Sequence, residues 1–79
     1  MENLRLYVRT VCPFCRKVEK FLEEKNISAV EIINIDEDKE AEKFLVEKGG
    51  KRQVPCLFIG DKPMYESMDI INYLKETFA

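Results

Sequence analysis

A chain of 79 residues has room for one core of modest size, so we expect residues 1–79 to form a single domain. Its formal net charge of -2, with both signs mixed along the chain, argues against nucleic acid as the main partner. The apolar runs are too short to span a bilayer and no signal peptide is visible, so we expect no membrane contact and a cytoplasmic location.

Alternating apolar and polar residues predict a first strand over residues 4–9. A first helix is predicted from residue 13 to about residue 25, because apolar side chains recur there at helical spacing. Pro13 suits the first helical position, where its missing N–H has no partner to lose. Asn26 can end this helix in a left-handed conformation.

A Cys-x-x-Cys pair lies at this junction between strand and helix. Cys12 would be the N-cap residue, facing unpaired backbone N–H groups and the positive end of the helix dipole, and both stabilise a thiolate. Cys15 lies one turn deeper on the same face, within reach of the Cys12 sulfur. The pattern predicts a reversible dithiol, which suits a reducing cytoplasm.

Two other interpretations of the pair stay open. Half of a zinc site is one, but zinc takes about four ligands. The chain has no histidine and only one further cysteine, Cys56, so such a site would need a carboxylate, a water or a second chain. Plain core packing is the other, although the proline between the cysteines argues against it. We expect no metal site.

The middle of the chain predicts a parallel pair of strands followed by a helix. A β-branched run predicts a second strand over residues 28–35, which completes a β-α-β unit. The acidic residues 36–38 favour a helix start, and Gly49 and Gly50 end that helix.

The last part predicts a hairpin and a final helix. A third strand is expected over residues 54–59, then a turn over residues 60–63 and a short strand around residues 64–65. Ser67 can cap the last helix. The order β-α-β-α-β-β-α predicts an α/β fold with a mixed four-stranded sheet and helices on both faces.

The Cys-Pro-Phe-Cys motif at the first junction, with a later Val-Pro that opens a strand, resembles the thioredoxin superfamily. More narrowly, the motif and the small size resemble the dithiol glutaredoxins, and the resemblance covers essentially the whole chain. It implies a thioredoxin-like fold and a glutathione-dependent thiol–disulfide oxidoreductase that reduces protein disulfides and glutathionylated protein thiols. It also implies a monomer with glutathione as reducing co-substrate and no tightly bound cofactor.

The resemblance also implies roles for individual residues. Cys12 matches the nucleophile and Cys15 the resolving thiol. Arg9 matches a basic residue that contacts a glutathione carboxylate. Val54 and Pro55 match a cis-proline loop whose backbone pairs with the cysteinyl part of glutathione. The other residues expected beside the glutathione groove are Pro13, Phe14 (commonly tyrosine in the family) and Gln53 (often threonine).

One segment departs from the usual glutaredoxin pattern. Most dithiol glutaredoxins have Gly-Gly, a small residue and an aspartate before the last helix, where this chain has Tyr65-Glu66-Ser67-Met68. The segment resembles the N-terminal domain of glutathione transferases, in which a Glu-Ser pair holds the γ-glutamyl end. Both versions would bind a carboxylate at a helix N-terminus. The resemblance therefore implies that Glu66 and Ser67 bind the γ-glutamyl group.

Two alternative functions share this fold. One is a redoxin reduced by thioredoxin reductase, and the other is a dimeric module that binds an iron–sulfur cluster through Cys12 and glutathione. The proline after Cys12 and the second cysteine argue against the cluster. Lys51 and Arg52 are predicted either to gather with Arg9 near the thiolate or to remain solvated. Cys56 is predicted to pack in the core.

Overall fold

The computed structural model describes residues 3–78, which contain four strands and three helices in the order β-α-β-α-β-β-α. The predicted order is therefore confirmed. The strands are Leu4–Val8 (β1), Val30–Asn34 (β2), Cys56–Ile59 (β3) and Lys62–Met64 (β4), and the helices are Pro13–Glu24 (α1), Lys39–Gly49 (α2) and Ser67–Phe78 (α3). Within residues 3–78, no helix has the length and apolar character needed to cross a membrane.

The strands form one mixed sheet in the order β2-β1-β3-β4. β1 pairs in parallel with β2 and antiparallel with β3, and β3 pairs antiparallel with β4. The β-α-β half is thus parallel and the hairpin half antiparallel, as predicted. β2 and β4 are the two edge strands.

Side chains of the central strands alternate between two cores, one on each face of the sheet. Leu6 and Leu57 face α1 and α3, where they are fully buried together with Val18 and Ile70. Tyr7 and Phe58 point the other way and pack with α2. That second core is partly aromatic: the rings of Tyr7, Phe44 and Phe58 lie 5.2–6.0 Å apart between centroids. Helices on both faces of the sheet are thereby confirmed.

Three predicted strands were wrong at their ends. β1 ends at Val8 and not at residue 9, and β2 ends at Asn34 and not at residue 35. β2 begins at Val30 and not at residue 28, because its pairing with β1 starts at Leu4 opposite Val30 and ends at Val8 opposite Asn34. β3 begins at Cys56 and not at residue 54, because Pro55 has no N–H to donate to a ladder.

The hairpin and the last helix also differ from the prediction. Pro63 lies inside β4, opposite Phe58, and not in the turn before it. The missing N–H is tolerated because β4 is an edge strand. Ser67 is the first residue of α3 and not its cap. The Glu66 carbonyl accepts the Ile70 N–H at 2.9 Å, so Glu66 occupies the cap position.

Three helix ends follow the predicted local chemistry. Asn26 has φ 54° and Gly50 has φ 88°, so both close their helices in left-handed conformations. Asp38 caps α2 by accepting the Ala41 N–H at 3.1 Å. Asp36, which was predicted to belong to the helix start, lies in a turn before α2.

Candidate active site

The loops that carry the predicted site residues meet at one edge of the sheet. β1 and β4 end at this edge and β3 begins there, since Tyr7 lies opposite Cys56 and Leu57 opposite Met64. The segments that follow β1, precede β3 and follow β4 are therefore neighbours. Cys12 and Val54 both pack against the core cluster between the sheet and α1 and α3.

Cys12 is the N-cap residue of α1, as predicted. Its backbone is extended, with φ -154° and ψ 103°, and its Sγ atom accepts the backbone N–H of Cys15 at 3.2 Å. Pro13 occupies the first helical position, where no N–H is needed. The sulfur thus lies at the positive end of the helix dipole, where a backbone N–H donates to it.

The two thiols differ sharply in exposure. Cys12 is half-buried, whereas the Cys15 side chain has no solvent-exposed surface. Burial raises the pKa of the Cys15 thiol to about 12, and the hydrogen bond with Cys12 adds to this increase. Cys15 therefore stays protonated at neutral pH, and Cys12 is the thiol that an incoming disulfide can reach.

Asp36 connects the loop before Cys12 to the turn after β2. Its two carboxylate oxygens accept from Arg9 Nε at 3.0 Å and from the Thr10 backbone N–H at 2.9 Å. The Asn34 side chain links the same loops, donating to Thr10 Oγ1 at 3.2 Å and accepting the Asp36 N–H at 2.8 Å. The Thr10 hydrogen bond, more than the Arg9 guanidinium, lowers the pKa of the Asp36 carboxyl.

This role of Asp36 was not predicted from the sequence. The signal that could have revealed it is the parallel pairing of the first two strands. Once Val8 is placed opposite Asn34, residues 9–10 must lie beside residues 35–36. Arg9, which was predicted to contact glutathione, is thus held by the carboxylate of Asp36, a residue that was predicted to belong to the start of α2.

The Val54–Pro55 peptide bond is cis, as predicted. Pro55 is buried, while Gln53 and Val54 are half-buried. Within residues 3–78, the Val54 backbone makes no hydrogen bond. These two backbone groups are therefore available as a donor and an acceptor.

Lys51 and Arg52, which were predicted either to lie near the thiolate or to remain solvated, contact Tyr65 and Glu42. Arg52 Nε lies 2.7 Å from Glu42 Oε2 in α2, and this hydrogen bond lowers the pKa of the Glu42 carboxyl. The Lys51 ammonium lies 4.6 Å from the ring centroid of Tyr65. These contacts favour the solvated-surface interpretation of Lys51 and Arg52 over the predicted gathering around the thiolate.

The N-terminus of α3 carries the predicted Glu-Ser pair. Glu66 is exposed and Ser67 is half-buried at the first helical position, where a backbone N–H has no partner within the helix. Three apolar side chains stand exposed near this site: Val11 directly before the motif, Phe14 within it and Met68 in the first turn of α3, at 86%, 61% and 54%. Val11 was not singled out by the sequence.

The third cysteine lies on the other side of the sheet. Cys56 is fully buried with Tyr7, Leu45 and Phe58, and burial raises the pKa of its thiol to about 11. Its position agrees with the predicted packing role. Among the residues that the structure describes, no group of three His, Cys, Asp or Glu side chains is placed to hold a metal ion.

Comparison with known proteins agrees with this site. The glutaredoxin family model matches residues 4–64. Glutaredoxin 1 of Rickettsia prowazekii is 32% identical over 78 residues, covering 96% of this chain and 81% of that protein. A wheat glutaredoxin structure is 28% identical with a TM-score of 0.69, covering 94% of this chain and 71% of that one. A trimeric glutathione transferase of Leishmania is 33% identical with a TM-score of 0.78, covering 100% of this chain but 18% of that one.

The structural similarity confirms the thioredoxin-like fold class predicted from the element order. The family match includes the Cys12–Cys15 motif and the cis Val54–Pro55 bond, which the fold brings to one edge of the sheet. The chain belongs to the glutaredoxin family of thiol–disulfide oxidoreductases.

Proposed function

We propose that this chain uses glutathione to reduce glutathionylated protein thiols and protein disulfides. The observation that carries the proposal is the contrast between its two motif thiols. Cys12 is accessible and its sulfur accepts a backbone N–H, whereas Cys15 is buried and protonated. One reactive thiol is enough for a glutathionylated substrate, because free glutathione can resolve the mixed disulfide that forms on that thiol.

Deglutathionylation takes two thiol–disulfide exchanges. The Cys12 thiolate attacks the glutathione sulfur of the mixed disulfide, and the protein substrate leaves as a thiolate that takes up a proton. A second glutathione thiolate then attacks the glutathione sulfur bound to Cys12. This step releases glutathione disulfide and restores the Cys12 thiolate, so one protein thiol is regained for each glutathione disulfide formed.

Reduction of a protein disulfide uses Cys15 as well. Cys12 first forms a mixed disulfide with one substrate sulfur, and the other substrate sulfur leaves as a thiolate. Cys15 must then lose its proton and attack Cys12, forming the Cys12–Cys15 disulfide and releasing the reduced substrate. Two glutathione molecules reduce that disulfide in turn. Burial raises the pKa of the Cys15 thiol, so its deprotonation is the demanding part of this route.

Glutathione would lie across the sheet edge next to Cys12. Arg9 would meet one carboxylate, and the Val54 backbone would pair with the cysteinyl unit. The γ-glutamyl carboxylate would bind the free N–H of Ser67 at the start of α3, with Glu66 facing the amine. Similarity to a glutathione transferase along the whole chain supports this use of the Glu-Ser pair.

The remaining proposed groove residues are small or planar side chains around the sulfur. Pro13 and the exposed Phe14 lie within the motif, and Gln53 directly precedes the cis-proline loop. The proposal includes a cytoplasmic location, because a reducing compartment keeps the motif cysteines as thiols.

A coupled assay tests the proposal. Turnover of a glutathionylated peptide is followed by NADPH oxidation, once with glutathione and glutathione reductase and once with thioredoxin reductase. We expect saturable turnover with glutathione, and none when Cys12 is replaced by serine. Turnover with thioredoxin reductase alone would support the redoxin alternative. A purified protein whose visible absorbance depends on added iron, sulfide and glutathione would support the cluster module.

A further inference from the structure

Asp36 binds Arg9 and Thr10, the first two residues after β1. One carboxylate oxygen accepts from the Arg9 guanidinium at Nε, and the other accepts from the backbone N–H of Thr10. The Arg9 and Asp36 side chains are 43% and 30% exposed, so the pair lies at the surface and within reach of a ligand. No other carboxylate in residues 3–78 binds the loop that leads to Cys12 in this way.

The contact leaves the ligand-facing part of Arg9 free. Asp36 uses the Nε atom, and the two terminal guanidinium nitrogens of Arg9 make no hydrogen bond within residues 3–78. Those two nitrogens form the planar edge that binds a carboxylate in two parallel hydrogen bonds. Asp36 therefore restricts the rotation of Arg9 without occupying the edge on which an anion would bind.

We propose that Asp36 is a positioning residue for glutathione: it orients Arg9 and fixes the Thr10 backbone, so that glutathione meets a guanidinium already held in place. This inference rests on the proposed use of glutathione. Because a held side chain loses less conformational freedom when its ligand binds, Asp36 should strengthen binding although its own charge is negative. The charge of Asp36 alone would have the opposite effect, since glutathione is anionic.

Positioning of Arg9 and the negative charge of Asp36 have opposite effects on glutathione binding, so the KM of a variant without the charge distinguishes them. Asp36→Asn removes the charge and weakens the hold on Arg9, while its amide oxygen can still accept the Thr10 N–H. Glu42→Gln is the matched control, because Glu42 binds Arg52 Nε in the same manner and loses the same charge. Steady-state KM for glutathione and kcat are measured for both variants, with a melting curve for each.

We expect Asp36→Asn to raise KM for glutathione about three- to tenfold, the range of a weakened charge-assisted contact, with kcat changed less than twofold. Glu42→Gln should leave KM within about twofold of the wild type, because its charge acts on glutathione only through screened solvent. A KM that is unchanged or lower in Asp36→Asn overturns the inference while the proposed function stands. A wild-type protein that shows no saturation by glutathione overturns both.

A double variant tests whether Asp36 acts through Arg9. Arg9→Ala alone should raise KM for glutathione, and adding Asp36→Asn to it should raise KM no further. Effects that multiply in the double variant would show that Asp36 does not act through Arg9, and would overturn the assignment. Arg9→Lys is informative as well, because a lysine has no planar edge left free once Asp36 binds its ammonium group. It should raise KM for glutathione by less than Arg9→Ala, because the charge remains while the planar edge is lost.

Discussion

The Tyr65 ring occupies the space in which a side chain on Gly49 would lie. The Tyr65 hydroxyl is the atom that a Cβ on Gly49 would meet first, and its Cζ atom would be 3.2 Å away. The same hydroxyl donates to the Lys51 carbonyl at 3.3 Å. Because Tyr65 directly precedes the Glu-Ser pair of α3, this contact fixes the proposed γ-glutamyl segment against the end of α2.

Gly49→Ala should therefore destabilise the protein. Alanine is favoured over glycine inside a helix by about 1 kcal/mol, but an added methyl in a filled space costs about 1–3 kcal/mol. The second effect should dominate and lower the free energy of unfolding by about 1 kcal/mol, measured by urea denaturation. In a Tyr65→Phe background the closest atom is gone, so Gly49→Ala should cost less there. A more stable Gly49→Ala variant in the wild-type background would show that the contact is not tight.

The thiols should differ in their response to pH. Burial raises the pKa of Cys15 to about 12 and that of Cys56 to about 11, so both thiols are almost entirely protonated at pH 8. Reduced wild-type protein treated with iodoacetamide should gain one adduct, on Cys12. The Cys12→Ser variant should react far more slowly, and its rate should rise with pH throughout the range in which it stays folded. Fast labelling of Cys15 at neutral pH would contradict the effect of burial.

The two motif cysteines should divide the activities between them. Cys12→Ser should abolish turnover of both a glutathionylated peptide and a protein disulfide. Cys15→Ser should retain substantial deglutathionylation, because glutathione resolves that intermediate, and should lose most of the protein-disulfide activity. Cys56→Ala is the matched control and should keep both. A Cys15→Ser variant as inactive as Cys12→Ser on the glutathionylated peptide would rule out the single-thiol route.

Ser67→Pro should remove one donor without breaking α3. Proline is tolerated at the first position of a helix, which is where Ser67 lies. The lost N–H should raise KM for glutathione by about tenfold or more, since a hydrogen bond to a charged group is lost. Ser67→Ala, which keeps the N–H, should have a smaller effect. The rate of Cys12 alkylation should match the wild type in both, and unaltered glutathione saturation in Ser67→Pro would refute the role of this helix end.

Acid should weaken two surface contacts. The folded-state pKa values of Asp36 and Glu42 lie below their ordinary values of 3.8 and 4.5, because Thr10 and Arg52 donate to the ionised carboxylates. Their contribution to stability is thus complete above pH 4.5 and is lost as the pH falls through the folded-state values. Asp36→Asn and Glu42→Gln should each reduce the fall in melting temperature between neutral pH and about pH 3. An unchanged acid slope in both variants would contradict the lowered pKa values.

Local chemistry in the sequence was enough to predict much of the fold and part of the site. Pro13, Asn26 and Gly50 act within a residue or two of their own positions, so the helix ends that they define were predicted. Asp36 was placed in a helix start because its contacts are distant in sequence: the Thr10 N–H that it accepts lies 26 residues away. Such a bond depends on the register of a parallel strand pair, which composition and spacing do not give. The Gly49–Tyr65 contact was also missed, because its two residues are distant in sequence.

The sheet has a further effect on the chemistry of the three free cysteines. Three thiols could form three different disulfides. Cys12 and Cys15 belong to the core beside α1 and α3, whereas Cys56 belongs to the core beside α2, so a hydrogen-bonded layer of backbone separates it from the other two. Neither bond to Cys56 can form unless that layer opens. The folded chain can therefore form only the Cys12–Cys15 disulfide within itself, and the Cys56 sulfur takes no part in the redox reaction.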